Sequence, residues 1–353
     1  MRVLVYRKSL IAAAAFAVVA SLLTGCGSSE SARSQEVIVQ VHDAWSMPDE
    51  VLDAFTAATG YRVKILTSDG AAQLADKLAL NAGKPQADVA YGLDNSYASR
   101  AVDAGAFADY LPADQPEESR RYALDGAAAK QLTATDFGDV CVNADDGWFA
   151  ARHLTVPQTF ADLIKPQYKD MLAIPAASSS STGLAWLLGT IAAEGDHWQS
   201  YWKALLSNGA KVDSGWTQAY EGDFTQGGGQ GKYPLVISYS TSPPSTIPDG
   251  KTKPTTSAIL GTCFRQVEYV GVLKGAANTA GAQAFVDFMV GQQVQAAIPD
   301  NMYMNPVNTE VTVPELWKKW APSAPHPWTL SADVIAQQRD AWVSQWRDLV
   351  RSQ

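Results

Sequence analysis

The alternation of element types between residues 37 and 94 constrains the fold more than any other feature of the chain. Val37 to Val41 is an apolar strand-like run, followed by His42-Asp43-Ala44-Trp45. Ser46-Met-Pro-Asp49 has the Ser/Asp spacing of a capping box, with Pro48 near the first helical turn. The helix it opens extends to about Thr59 and stops at Gly60. Arg62 to Thr67 reads as a second strand, and Ser68-Asp69-Gly70 turns into a helix ending near Asn81-Ala-Gly83. Asp88 to Leu93 reads as a third strand. Strand–helix–strand–helix–strand at this spacing predicts a parallel, doubly wound sheet. Its strand ends, at Asp43, Asp69 and Asp94, open onto one edge, where open α/β sheets bind ligands.

Beyond an irregular stretch from Phe107 to Lys130, Asp136 to Asn143 reads as a strand leaving this lobe. Pro157 to Ile164 is a short helix, Ala173-Ile174-Pro175 a strand end, Leu184 to Ala193 an apolar helix and Trp198 to Leu206 an amphipathic one. Lys211 to Asp213 leads into Gly215-Trp216, with another helix from Thr217. Cys263 to Leu273 reads as a return strand, and Thr279 to Gln295 as one helix with Phe285, Phe288 and Met289 on one face. Met302 to Pro306 is a loop. Ser331 caps a terminal helix with a stripe of Val334, Ile335, Trp342, Trp346 and Leu349. A lobe entered, left and re-entered implies two chain crossings, the arrangement of a two-lobed hinge protein that holds its ligand between the lobes. Lobe one takes residues 37–139 and 265–353, lobe two 140–264. A chain of 353 residues suits two cores better than one.

The first residues read as an export signal: a basic start (Arg2, Arg7, Lys8), an apolar run from Leu10 to Leu23, then Leu23-Thr24-Gly25-Cys26. A run this short, ending in small residues, is a secretory segment and not a spanning helix. The order Leu-Thr-Gly-Cys resembles a bacterial lipobox, which predicts removal of residues 1–25 and a diacylglycerol on Cys26. The product is a lipoprotein held on the outer face of the bacterial cytoplasmic membrane by its lipid alone, with residues 27–36 as a flexible tether. Losing Arg2, Arg7 and Lys8 with no acid takes the formal net charge from −9 to −12. So acidic a chain is unsuited to nucleic acid or an anionic membrane surface, and fits a monomeric solution binder. Cys141 and Cys263 each sit inside a strand-like run. Outside the cytoplasm two such thiols are expected to pair, joining segments where the chain crosses between lobes.

Leu235 to Ser238 reads as a short buried strand that ends on Tyr239, the hydroxyls of Ser240, Thr241 and Ser242, and then Pro243-Pro244. The prolines forbid further ladder pairing, so the strand stops at the rim of a polar site or in a polar turn. Ser178 to Gly183, opening the apolar helix, offers hydroxyls and backbone N–H groups to an anion, or serves as a capping loop. An enzyme is not indicated. The four histidines (His42, His153, His197, His326) are scattered, with no His-Glu-x-x-His pair and no Gly-x-Ser-x-Gly elbow. Gly227 to Lys232 fails as a phosphate loop, because Gln226 holds its first glycine position and Tyr233 its Ser/Thr.

Several runs, taken in order, resemble the periplasmic thiamine-binding proteins of bacterial ABC importers. They are Ala87-Asp-Val-Ala-Tyr-Gly-Leu-Asp-Asn95, Gly215-Trp-Thr-Gln-Ala-Tyr220, Ser238-Tyr-Ser-Thr-Ser-Pro243, Ala297-Ile-Pro299 with Pro306-Val307, and Arg339-Asp-Ala-Trp-Val-Ser-Gln-Trp346. The resemblance implies a periplasmic-binding-protein-like α/β fold of class II type, each lobe a doubly wound sheet. It implies capture of thiamine or thiamine phosphates for delivery to a permease, with no cofactor and no metal. It places ligand contacts at Asp69, Gly70, Ser180, Ser181, Trp216, Tyr239, Ser240, Thr241, Ser242 and Pro243, and an aromatic contact at Tyr303, where relatives usually carry Trp. His42, next to Asp43, and Ser245 stand where relatives tend to have Tyr. A cationic thiazolium joined to an aminopyrimidine needs aromatic faces and hydrogen bonds at the ring edge, so Trp216, Tyr239 and Tyr303 are the candidate walls. Asp43, Asp69 and Asp94 are candidate counter-charges, with a helix cap or solvated turn as the favoured reading of any one of them. Within the same fold the alternative solutes are ferric iron and a polyamine. Iron binders of this class use adjacent tyrosines, and the sequence contains no Tyr-Tyr pair.

Overall fold

The computed structural model describes residues 35–228 and 230–352. The export signal, Cys26 and the tether up to residue 34 lie outside the described residues. The first strand begins at Glu36, inside the stretch expected to be tether.

Three parallel strands open the chain: β1 (Glu36–His42), β2 (Arg62–Ser68) and β3 (Val89–Asp94), with β1 between the other two. Alternation explains the pairing, because Val37, Val39 and Val41 all point to one face and are fully buried. They pack with Phe55 of helix α1 (Asp49–Thr59) and Phe285 of a later helix. Each such buried ring contributes roughly 1.5–3 kcal/mol. Helix α1 ends as expected, on Gly60 at φ 77°. Its start differs: Pro48 holds the N-cap position with no side-chain cap, so the expected Ser46 capping box does not form. Asp49 and Glu50 in the first turn complement the helix dipole instead. Helix α2 (Ala71–Leu80) links β2 to β3, and the short α3 (Ala98–Asp103) follows β3.

Further strands are β4 (Thr133–Asp145), β5 (Leu172–Pro175), β6 (Lys211–Asp213), β7 (Leu235–Tyr239), β8 (Thr256–Val272) and β9 (Asn305–Pro306), and the described residues form one nine-stranded sheet in the order β2-β1-β3-β8-β4-β7-β5-β6, with β9 paired to β4. The fold is two-lobed all the same. Strands β5 (Leu172–Pro175), β6 (Lys211–Asp213) and β7 (Leu235–Tyr239) make a second parallel trio. The two trios are joined because β4 (Thr133–Asp145) and β8 (Thr256–Val272) are long enough to run through both. Helices α4 (Ser181–Glu194) and α5 (Trp198–Ser207) cover the second trio.

The helix expected over 279–295 is two: α6 (Thr279–Met289) and α7 (Gln292–Met302). Buried Gln295 explains the break. Its Nε2 donates to Met289 O and to Thr135 O, both at 2.8 Å, and its Oε1 accepts from Asn308 N, so a fully bonded amide closes α6 and fastens the corner to β4. The terminal helix α8 (Ala332–Arg351) is capped by Ser331 and buries Ile335 and Trp346, with Trp342 and Leu349 half-buried; Val334 is exposed and not part of the stripe. Trp346 meets Trp202 of α5 edge-on, and Trp202 meets Trp186 of α4, so α8 packs on α5, which covers the second trio, as well as on α3.

Cys141 and Cys263 form a disulfide, as expected from the compartment. It sits at a break in the β4–β8 ladder: Val140 pairs with Phe264 and Val142 with Ile259, so Leu260 to Cys263 bulge opposite Cys141. Thr262 Oγ1 accepts from Val142 N and donates to Ile259 O, which satisfies the bulge internally. Replacing both cysteines by serine is expected to cost about 2–4 kcal/mol in urea unfolding, because the bridge closes a separation of 122 residues. Equal midpoints for parent and variant would contradict this.

Candidate functional site

The end of β7 organises the second half of the site. Trp216 lies flat on Tyr220, with ring centroids 4.8 Å apart and planes 12° from parallel. The helix expected from Thr217 is a short π-helical turn, Gln218–Asp223, which supplies that Tyr220. Trp216 Nε1 donates to Ser238 Oγ at 3.0 Å. Ser238 Oγ and Ser242 Oγ are 2.8 Å apart, and Ser242 Oγ accepts from Tyr239 N. Ser245 Oγ closes the turn by donating to Ser242 O. Pro243 is buried at the start of a 3-10 turn. Ser240 is wholly buried: its N–H reaches Asp139 O, and its hydroxyl has no partner among the described residues. Thr241 Oγ1 donates to Tyr303 O, which ties this turn to the end of α7. Tyr303 itself is left-handed (φ 55°) and 54% exposed.

Ser180 caps α4, accepting from Gly183 N and bonding Thr182 Oγ1, and half-buried Ser181 is the first helical residue. Only glycine fits at 183, because a Cβ there would lie 2.3 Å from Pro175 O; α4 therefore starts directly on the end of β5. Ser179 Oγ donates to Ser214 O, which couples this loop to the one carrying Trp216. Ser180, Ser181, Trp216 and Tyr239 to Pro243 are thus brought together at the ends of β5, β6 and β7.

The other half of the site lies at the ends of β1 and β2. Asp43 and Asp69 are exposed, and Asp43 Oδ1 would lie 3.8 Å from a Cβ at Gly70. Gly70 caps α2 at φ 129° with no side-chain hydrogen bond. His42 is different in kind from its neighbours, being buried. Its Nδ1 accepts from Ala44 N, so Nε2 carries the proton toward Glu268 Oε2 at 3.4 Å. It packs so tightly on Gly92 (φ 92°) that a Cβ there would fall 1.9 Å from the ring.

Beneath these residues is a buried acidic cluster that the sequence reading missed. Asp94, Glu268 and Asp136 face one another across β3, β8 and β4. Tyr91 hydroxyl is 2.8 Å from both Glu268 Oε2 and Asp136 Oδ2. One phenolic proton serves one acceptor, so one carboxyl must hold a proton of its own. Burial, reinforced by Glu268, pushes Asp136 well up and makes it the protonated one. Burial also opposes the charge on Glu268, but the His42 beside it prevails and holds that carboxyl below the usual range. His42 is in turn raised: burial resists its charge, and Glu268 overcomes that. Tyr239 hydroxyl, 3.4 Å from Gln266 Oε1, is raised by burial and then by Glu268 and Asp94. Asp94 is a cap and not an open counter-charge: Oδ1 accepts from Ser96 N and Tyr97 N, while Oδ2 has no partner among the described residues. The available signal was an acid inside each of two apolar strands, at positions that like charges occupy only when one is neutralised.

Residues 84–329 match the family model described as bacterial extracellular solute-binding protein. A thiamine-binding periplasmic protein of Escherichia coli (strain K12) is 28% identical over 314 residues, covering 87% of this chain and 89% of that one. A relative of the same name from Brucella suis biovar 1 (strain 1330) is 24% identical, covering 92% and 96%. The solved structure of a periplasmic thiamin binding protein superposes with a TM-score of 0.75 at 26% identity, covering 89% of this chain and 96% of that one. A ferric binding protein from Campylobacter jejuni shares the fold, with a TM-score of 0.69 at 15% identity and coverage of 89% and 99%.

Burial above all pushes Asp94 up to about 7, from an ordinary 3.8. A carboxyl raised in the folded state penalises folding once it ionises, so this contribution is complete below about pH 4 and is lost as pH rises through about 7. Asn keeps the capping oxygen and carries no charge. Asp94→Asn is therefore expected to gain on the order of 1–3 kcal/mol over the parent between about pH 5 and pH 8, measured by urea unfolding at both. Parallel pH profiles would contradict it.

Proposed function

The chain belongs to the bacterial extracellular solute-binding protein family, and from that premise we propose that it captures thiamine or a thiamine phosphate between its lobes and delivers it to the permease of an ABC importer. The observation that carries this reading is the Trp216 assembly. An indole with one face on Tyr220 and its N–H fixed to Ser238 is held in place by the protein's own contacts. Its other face is offered to a flat cationic ring, at ~0.5–2 kcal/mol per aromatic contact. Ser180, Ser181 and the hydroxyls from Ser240 to Ser242 supply ring-edge and phosphate hydrogen bonds, and Asp69 with Gly70 closes from the opposite lobe. The names of the relatives support thiamine as the solute.

Cys26 carries the lipid that keeps the protein at the outer face of the cytoplasmic membrane, and the monomer reaches the permease from there. Lobe one comprises residues 37–139 and 265–353 and lobe two 140–264, with α8 bridging them. The protein carries out no chemistry; its output is a closed shape that the permease reads. Ferric iron and a polyamine remain the rival solutes, and they share the fold without needing an indole wall.

Calorimetric titration with thiamine, its mono- and diphosphate, an iron salt and a polyamine is expected to give binding for the thiamine series alone. Trp216→Ala should weaken thiamine binding tenfold or more, about 1.4 kcal/mol. Unchanged affinity, or a response to iron instead, would overturn the proposal.

A further inference from the structure

His42 closes β1 with both ring nitrogens engaged, and a proton affects the two engagements in opposite ways. Nε2 faces Glu268 Oε2 of β8 at 3.4 Å, a contact that added charge on the ring strengthens. Nδ1 accepts from Ala44 N at 3.0 Å, a contact that only the unprotonated nitrogen can make. A proton on Nδ1 would set two N–H donors against each other. The ring has little room to swing aside, because it is buried and seated on Gly92, where a Cβ would fall 1.9 Å from it.

The groups around the ring leave that conflict in place. Tyr91 of β3 has its ring centre 5.8 Å from that of His42, and its hydroxyl is committed between Glu268 and Asp136. Asp136 of β4 keeps its own proton, and Asp94 at the end of β3 accepts from Ser96 N and Tyr97 N. On β2, Ser68 pairs with His42 in register and accepts from Lys77 Nζ of α2 at 3.3 Å. Asp43, next in the chain, is exposed. Among the described residues Nδ1 has Ala44 as its one partner, so a proton there finds no acceptor in this arrangement. Burial opposes charge on the ring, and Glu268 more than offsets it, so His42 titrates above its ordinary 6.5.

The Ala44 N–H is what ties the turn after β1 to the body of the lobe. Asp43 and Ala44 are exposed, and the turn's remaining hold is Trp45, whose N–H reaches His42 O at 3.3 Å and whose ring stands edge-on to Tyr91. Asp43 Oδ1 lies beside Gly70, 3.8 Å from where a Cβ would stand, so this turn and the start of α2 form one edge of the first lobe. We infer that His42 is a positioning residue for solute capture: unprotonated at Nδ1 it holds Asp43 against Gly70, and protonated there it releases the turn, so the solute is bound more weakly in acid. The solute in this inference rests on the proposed function; the coupling of the turn to the ring does not.

The test has two arms. Heteronuclear NMR of the protein with no solute added follows the His42 ring and the Ala44 amide between about pH 8 and about pH 6. The Ala44 amide is expected to shift and to lose protection from exchange along the His42 titration. An Ala44 amide that stays protected once His42 carries both protons would overturn the inference. Calorimetry with thiamine over the same range is expected to show affinity falling at least about threefold, since only about a quarter of the ring or less is unprotonated at the acid end. His42→Asn keeps an acceptor near the Nδ1 position and cannot titrate, so its profile should be flat. A flat profile in the parent, or one that persists in His42→Asn and so belongs to another group such as Asp94, would overturn the inference and leave the proposed function standing. Release of Ala44 with His42 protonation, and no thiamine bound at either pH, would keep the coupling and overturn the function. The NMR arm needs no variant, so it decides even where His42→Asn does not fold.

Discussion

The structure depends on one pair of strands. β4 and β8, 13 and 17 residues long, are the ladder to which both parallel trios attach. Where they pass between lobes, two cross-strand links hold them within two residues of each other. Asp139 receives both forks of Arg265 and the N–H of Ala324, and Cys141 is bonded to Cys263. Arg265 also donates to the Tyr122 hydroxyl and lies 4.7 Å from the centre of the Phe137 ring. With Asp139 fully buried, such a pair is tolerable only because every oxygen of the carboxylate is engaged. The bulge beside it is the place where the ladder can bend, since its hydrogen bonds are already diverted into Thr262. Covalent fixation and local irregularity thus coincide at one crossing.

The same ladder creates the electrostatic problem of the cleft floor. Antiparallel β8 brings Glu268 opposite both Asp94 and Asp136, a juxtaposition that costs stability if all three ionise. The fold resolves it with one histidine, one tyrosine and one retained proton. His42 sits at the end of β1 because Gly92 leaves room for its ring, and its Nε2–H faces the Glu268 carboxylate. Tyr91 donates its phenolic proton to Glu268 and accepts from Asp136, which stays neutral.

Much of this was legible in the sequence. Strand and helix order over 37–94, Gly60 as a helix end, the Ser331 cap and the disulfide follow from periodicity, local chemistry and compartment. What was not legible has a tertiary cause in each case. The division of 279–302 into two helices comes from Gln295 bonding a carbonyl across the corner, and no local propensity encodes that. The Ser46 box fails because Pro48 takes the cap position. β8 starts seven residues before the expected return strand because the bulge at Leu260 to Cys263 interrupts its pattern. The site residues of the second lobe were readable as a run of hydroxyls after a strand, whereas Glu268 and Asp136 looked like ordinary strand polar positions until the register placed them face to face.

Under the proposed function, these arrangements decide which force would select a cationic solute. The floor is a poor counter-charge: Glu268 is matched by His42, Asp136 is protonated, and Asp94 ionises only near neutrality. Asp43 and Asp69 are exposed, and salt screens them over about 8 Å at physiological ionic strength. For the solute proposed, attraction for a flat positive ring would therefore fall on the polarised faces of Trp216 and Tyr239, whose quadrupoles lose little to screening at contact distance.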